Sequence, residues 1–358
     1  MKVLLTGSDG YLGSLLPTLL TRRGHSVKGI DTSFYKSGWL YQGTDTTPET
    51  LTKDIRRLTF DDLYGFDAVV HMAELSNDPT GQLAPHITYA INHQGSVKLA
   101  KLAKRAGIQR FVYMSSCSIY GVATEDRVRE TSPTNPQTTY ARCKQMVEQD
   151  VSELADHDFS PTFLRNATAF GASPRMRFDL VLNNLAGLAW TTGKIAMTSN
   201  GTPWRPLVHA MDIGKAIACT LEAERDIIHN QIFNVGDSAH NYQVKDIAAA
   251  VADTFPNCQL SLGTQGSDNR SYRVSFEKIN TTLPGFSCDW DVKRGAQQLH
   301  DLFSLMNLDA ETFAFRGFTR LKQLEYLLKT QQIDSDFYWS NAACNLQKQI
   351  SKVPALSH

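Results

Sequence analysis

The chain has 358 residues, of which 42% are hydrophobic and 20% charged, and its 36 basic side chains balance 36 acidic ones. That neutrality excludes a general nucleic-acid binder, which needs a cationic excess, and a highly charged disordered chain. No apolar run approaches the roughly 20 residues of a membrane-spanning helix, and six cysteines without a C-x-x-C pair point to reduced thiols in a cytoplasmic protein, with no zinc spacing.

In chain order, Val3-Leu4-Leu5 is a short apolar run that reads as a strand rather than a signal peptide. Gly7, Gly10 and Gly13 follow at once. Ser14–Arg23 carries Leu15, Leu16, Leu19 and Leu20 on one helical face, and Ser26–Asp31 reads as a second strand ending in an acid. Strand, glycine turn, helix, strand and acid together describe a dinucleotide site. Gly7 permits the tight turn, Gly10 lets backbone N–H groups approach a pyrophosphate, and Gly13 allows close helix packing. Asp31 suits an adenosine ribose diol and would repel a 2′-phosphate, which favours NAD over NADP. The spacing is G-x-x-G-x-x-G, and a bare glycine triplet is equally a surface turn; the flanking elements decide between the two.

Strand-like and helix-like segments then alternate. Ala68–Met72, Arg110–Met114 and Phe159–Arg165 read as strands; Thr88–Ala106 and Gln137–Ala155 read as helices. Such alternation predicts an α/β fold, a doubly wound parallel sheet with ligands at the carboxyl ends of its strands. Two segments there carry chemistry. One is the serine-rich Ser115–Gly121. The other is Tyr140-Ala141-Arg142-Cys143-Lys144, which puts Tyr140 and Lys144 on one helix face. An ammonium beside a phenol lowers its pKa, so Tyr140 suits acid–base work on a sugar or alcohol hydroxyl, with Ser116 bonded to the same oxygen.

These residues resemble the extended short-chain dehydrogenase/reductase family, in particular its nucleotide-sugar epimerase/dehydratase branch. The resemblance runs through Thr6–Gly13, Asp31, Lys53-Asp54-Ile55, His71-Met72-Ala73, Asn92, Ser115–Gly121, Tyr140/Lys144, Arg205–His209, Phe233–Gly236 and Asp268–Arg270. It implies a Rossmann domain with a smaller, mostly C-terminal α/β substrate domain. Gly7, Gly10, Tyr11, Leu12, Gly13, Asp31, Asp54, Ile55, Met72 and Ala73 would hold NAD. Asn92 would support that site from a helix. Tyr140 would be the catalytic base, Lys144 would bind the nicotinamide ribose, and Ser116 would orient the substrate hydroxyl. Arg205 and Arg270 would grip the diphosphate of a nucleotide sugar, because a guanidinium fork matches phosphate oxygens. Thr168 stands where the family usually has a diphosphate-binding asparagine.

The resemblance also narrows the reaction. Sugar 4,6-dehydratases carry Asp-Glu after the catalytic Ser/Thr; here Cys117 and Ser118 stand there. An NAD-dependent epimerase, acting through transient oxidation at C4, is therefore expected. The alternatives are a 4-ketoreductase of a deoxysugar, using NAD(P)H, and a non-catalytic NAD sensor. A homodimer is implied, through Thr88–Ala106 and Gln137–Ala155 packing on their copies.

The expected organisation is a nucleotide domain over 1–171, with 205–240 partly returning to it. A substrate domain with a C-terminal extension takes 172–204 and 241–345, and 346–358 form a tail. Arg175 and Arg177 are expected near the substrate entrance. Glu74 is expected to meet the sugar or solvent. Leu321, Leu324, Tyr326 and Leu327 are expected to pack on the substrate domain or cover a partner.

Overall fold

The computed structural model describes residues 1–42, 48–123, 125–264 and 270–340. The positions Asp268 and Asn269, Cys344 and the 346–358 tail lie outside the described residues. The largest element is a seven-stranded sheet in the order β10-β6-β5-β4-β1-β2-β3. Its strands are β1 (Lys2–Thr6), β2 (Ser26–Asp31), β3 (Thr50–Thr52), β4 (Ala68–His71), β5 (Arg110–Ser116), β6 (Ser160–Asn166) and β10 (Gln231–Val235). Every pairing within it is parallel. Val3, Leu4, Leu5 and Ala68, Val69, Val70 are fully buried because helices cover both faces, which is why these strands read as continuous apolar runs. The order reverses between β1 and β4, so a crevice opens at their carboxyl ends.

Two smaller sheets complete the fold. β7 (Thr168–Phe170), β9 (Trp204–His209) and β11 (Asn241–Gln243) form one; β8 (Lys194–Ala196) and β12 (Gln259–Ser261) form the other. Helices Val181–Thr192, Val244–Thr254 and Val292–Met306 close around Phe170, Phe178, Leu299 and Phe303, a core distinct from the two that flank the large sheet.

The expected helix Thr88–Ala106 is a continuous helical run from Pro85 to Arg105, but Tyr89–Gly95 is of π type. The widened turn carries Asn92, whose side chain accepts from the Leu75 N–H at 2.9 Å and donates to the Leu75 carbonyl at 3.1 Å. Ser96, just beyond it, bonds the Asn92 carbonyl and His71 Nε2, both at 2.7 Å. His71 also meets Thr6 Oγ1 at 2.6 Å, so one imidazole ties β4 to β1 and to the helix. Burial lowers its pKa to about 3, and it stays neutral.

The C-terminal extension departs from expectation. Leu324 and Leu327 of the helix Arg320–Lys329, with Ile333 and Phe337, join the nucleotide-side core with Leu4, Ile30 and Phe34. Trp339 donates to the Thr32 carbonyl at 2.6 Å and packs on Phe34. Arg56 donates to the Asp336 carbonyl at 2.8 Å, and the Tyr338 ring lies under both Arg56 and Arg57. From Leu324 onward the extension therefore straps β2, while Phe313, Phe315 and Phe318 before it pack with Phe178 in the third core. Its apolar face is a spacing of three (Leu324, Leu327), which fits any exposed apolar surface; tertiary proximity selects this one.

Candidate active site

A cavity of about 760 Å³ follows the carboxyl ends of the large sheet, from the glycine turn to the Tyr140 helix and on to Arg205 and Arg270. The turn itself leaves no room for side chains. Gly7 has φ +80°, and a Cβ on Gly13 would stand 2.2 Å from the Gly7 carbonyl oxygen. Asp31 accepts from the Asp9 N–H at 2.9 Å and the Ser33 N–H at 2.7 Å, which orients a carboxylate with lone pairs to spare. Burial, then the nearby Asp9, raises its pKa to about 6. Tyr11, Leu12, Gly10, Asp54, Ile55, Met72 and Ala73 share this wall. A glycine cradle without Cβ atoms, an oriented acid at the end of β2 and an apolar slot suit the pyrophosphate, ribose and rings of NAD.

Two of the predicted wall residues are already engaged. Tyr11 donates to the Gly171 carbonyl at 2.7 Å. The Asp54 carboxylate caps the turn Ile55–Arg57 and holds Arg56 through both oxygens. Asn92 does not line the cavity; it clamps the Leu75 backbone that does.

Ser116 ends β5, and Tyr140 and Lys144 lie in the helix Thr139–Ser152. Thr138 starts that helix by accepting from the Ala141 N–H at 3.2 Å, after the breakers Pro133 and Pro136. The adjacent serines are sorted by their partners. Ser115 is buried and donates to Glu148 at 2.5 Å, whereas Ser116 faces the cavity and the Tyr140 phenol. Beneath them Glu148 holds Arg165 at 2.7 Å, and Arg165 donates to Tyr120 at 3.0 Å.

Glu74 overturns the expectation of a solvent-facing carboxylate and the expectation of a lowered Tyr140 pKa, and it lines the cavity beside Lys144. Its carboxylate is buried, pairs with Lys144 Nζ at 2.6 Å and accepts from the Tyr113 hydroxyl at 2.6 Å. Lys144 also donates to the Met114 carbonyl, and its ammonium lies 5.4 Å from the Tyr140 ring centroid. Burial raises the Glu74 pKa, more than Lys144 lowers it. For Lys144, burial works downward, but Glu74 and Tyr140 outweigh it and the ammonium is favoured. The Tyr140 phenol is raised, not lowered: burial dominates, Lys144 opposes it, and Glu74 and Asp78 reinforce it. A carboxylate beside the lysine offsets part of what the lysine does for the phenol.

At the other end of the cavity stand Arg205, Arg270 and Thr168. Arg270 forms an ion pair with Asp78, and Arg205 donates to the Trp204 and Arg270 carbonyls. Cys117 is buried and donates to the Arg165 carbonyl, with its thiol pKa pushed up by burial; it is a packing residue. Arg175 is not at an entrance. It is buried, donates to the Tyr35 and Lys36 carbonyls and lies over Trp39, so it staples the loop after β2. Arg177 lines the cavity, ion-paired with Asp179 at 2.9 Å.

Several wall residues were not foreseen. Asn166, the last residue of β6, lines the cavity two residues before Thr168 opens β7, and its Oδ1 has no partner among the described residues. Ser118 likewise keeps a buried, unpartnered hydroxyl. Tyr35, Asp179, Thr319 and Arg320 also belong to the wall, and nothing in their local sequence marks them.

The model of the NAD dependent epimerase/dehydratase family matches residues 3–236. The UDP-glucose 4-epimerase of Bacillus subtilis is 25% identical over 327 residues, which span 84% of this chain and 94% of that protein. An NAD-dependent NDP-hexosamine 5,6-dehydratase of tunicamycin biosynthesis superposes with a TM-score of 0.75 at 20% identity, covering 85% of this chain and 98% of its own. A dTDP-glucose 4,6-dehydratase from Streptomyces venezuelae, solved with NAD bound, gives a TM-score of 0.72 at 21% identity, covering 85% and 97%. At these identities the two structures speak for the fold.

Proposed function

This chain belongs to the NAD-dependent epimerase/dehydratase family, and from that premise we propose that it epimerises a nucleotide-diphosphate sugar at C4. NAD, when bound, supplies a reversible hydride acceptor. The rest is done by the chain. Tyr140 takes the proton of the C4 hydroxyl and later returns one, Ser116 holds the same oxygen in line, and the Lys144 ammonium stabilises the phenolate between the two events. Arg205 and Arg270 hold the diphosphate in forked contacts, with Thr168 and Asn166 beside them.

One observation carries the choice of reaction. Ser116, Tyr140 and Lys144 converge at the end of β5, while the two positions after Ser116 hold a buried thiol and a hydroxyl instead of the Asp-Glu pair that eliminates water. A second reading, a 4-ketoreductase, is favoured by the raised Tyr140 pKa, because a retained phenol proton suits donation to a ketone.

The test is incubation of purified protein with UDP-, dTDP-, GDP- and CDP-sugars, followed by mass spectrometry and chromatography. An isomer of unchanged mass, formed without net NAD(H) turnover, is expected. Stoichiometric NAD(P)H consumption with a 4-keto sugar nucleotide would establish the second reading, and loss of water would make the protein a dehydratase. We also infer a homodimer through the Pro85–Arg105 run and the helix Thr139–Ser152, whose outer faces meet at the His93–Asp150 contact of 2.6 Å. Sedimentation as a monomer at micromolar concentration would refute it.

A further inference from the structure

The C-terminal extension returns to the cofactor end of the cavity. Thr319, Arg320 and Leu321, at the start of the helix Arg320–Lys329, line the same space as the glycine turn. Arg320 is only 4% exposed. Its main-chain N–H donates to Asp179 at 3.2 Å, and its guanidinium lies 3.9 Å from the centroid of the Tyr35 ring. Asp31 and Asp179 act on its charge from a distance, but neither is within ion-pairing reach. Among the described residues no oxygen accepts a hydrogen bond from its guanidinium. The other buried arginines each have an acceptor: Arg165 has Glu148, Arg177 has Asp179, and Arg175 has the Tyr35 and Lys36 carbonyls at one nitrogen, although its Nε has none among the described residues.

A desolvated guanidinium with unused donors is costly until an anion completes it. Burial, helped by Arg177 nearby, lowers the pKa of Arg320 to about 10, so its charge is under strain without a ligand. The missing anion must come from what the cavity holds. The neighbours Asp31 and Tyr35 belong to the adenosine end, away from Arg205 and Arg270. In NAD the only anionic groups are the two phosphates; the adenine, the riboses and the carboxamide carry no negative charge. The N-terminus of a ten-residue helix adds a favourable dipole at the same place.

We infer that Arg320 is a ligand of the cofactor pyrophosphate, contributed by the C-terminal extension, so that the phosphates are shared between the glycine turn at one end of the chain and a guanidinium at the other. The extension is thereby a working wall of the cofactor site. This rests on NAD as the cofactor and not on the sugar reaction, so an absence of epimerase activity would leave it untouched.

The test is calorimetric titration of the full-length protein, stripped of cofactor, with NAD, ADP-ribose and adenosine. Arg320→Gln should weaken NAD and ADP-ribose alike, by roughly 10- to 100-fold, the range for a hydrogen-bonded charge. Adenosine, which has no phosphate, should bind as before. Arg320→Lys keeps the charge without the fork and should recover part of the loss. Leu324→Ala, in the same helix but facing the core, controls for damage to the extension and should leave the ratio of ADP-ribose to adenosine affinity unchanged. Unchanged NAD and ADP-ribose affinity in a folded Arg320→Gln protein would overturn the inference. So would an equal loss for adenosine, which would make Arg320 a structural post. If Arg320→Gln does not fold, Arg320→Lys decides alone: the same ratio must fall, and a constant ratio would reject the assignment.

Discussion

Lys144 and Arg320 are both 4% exposed cations on the wall of one groove, yet among the described residues the first has an ion-pair partner and the second has none. Glu74, Tyr113 and the Met114 carbonyl surround the Lys144 ammonium before any ligand arrives. Among the described residues the Arg320 guanidinium has the Tyr35 ring and two distant carboxylates. The nicotinamide end is thus assembled by folding alone, whereas the adenosine end is completed by binding. Cofactor should therefore stabilise the protein mainly through the C-terminal extension, by mass action on the folded state.

The largest expected effects lie at the preassembled end. Tyr140→Phe should lower turnover by about 10²–10⁴-fold, the usual worth of a positioned acid–base group, while NAD affinity holds. A single-turnover assay with the nucleotide sugar that the screen identifies checks this; retained turnover would remove Tyr140 from the chemistry. Glu74→Ala strands Lys144 as an uncompensated buried charge and should cost roughly 3–5 kcal/mol in denaturant unfolding. The milder Glu74→Gln also bears on pH. Glu74 raises the Tyr140 pKa, and a phenolate base works above its pKa, so removing the carboxylate should move the rise of kcat/KM to lower pH.

At the ligand-completed end the effects are smaller. Leu324→Ala should cost roughly 2–5 kcal/mol, because Leu324 sits in the nucleotide-side core. A loss near zero would show that the extension rests loosely on β2. The last effect is on the pH slope. Asp31 has a folded pKa raised to about 6 from an ordinary carboxylate value, so its protonated form favours the fold. That contribution is complete below the unfolded pKa of about 4 and is lost as pH rises through 6. In the absence of NAD, the melting temperature of the parent protein relative to Asp31→Asn should be highest near pH 4 and decline toward pH 7. A flat difference would mean that Asp31 is ionised in the free protein.

The same contrast bears on what could be read in advance. β1, β4, β5 and β6 were legible because strands covered on both faces must be largely apolar runs, and β2 was legible from its place between the first helix and Asp31. Ser116 and Tyr140/Lys144 were legible because a helical turn and a strand end are local geometries. The π-type turn at Asn92 was not, since it answers to the Leu75 backbone and not to its own neighbours. Glu74 was expected at the sugar or in solvent, and nothing in the local sequence marked Arg320. Each has its role only through segments far away in the chain.

By itself, then, the sequence determined the parallel α/β fold, the nucleotide turn with its acid Asp31, and a tyrosine and lysine one helical turn apart. Those features are written in spacing, and spacing survives without knowledge of the packing. Only the tertiary structure decided that Glu74 compensates Lys144, that the phenol beside them is raised rather than lowered, and that the C-terminal extension returns Arg320 to the cofactor groove. The reason is electrostatic: the state of a buried charge depends on which distant charge lies within a few ångströms of it, and on how much water both have lost.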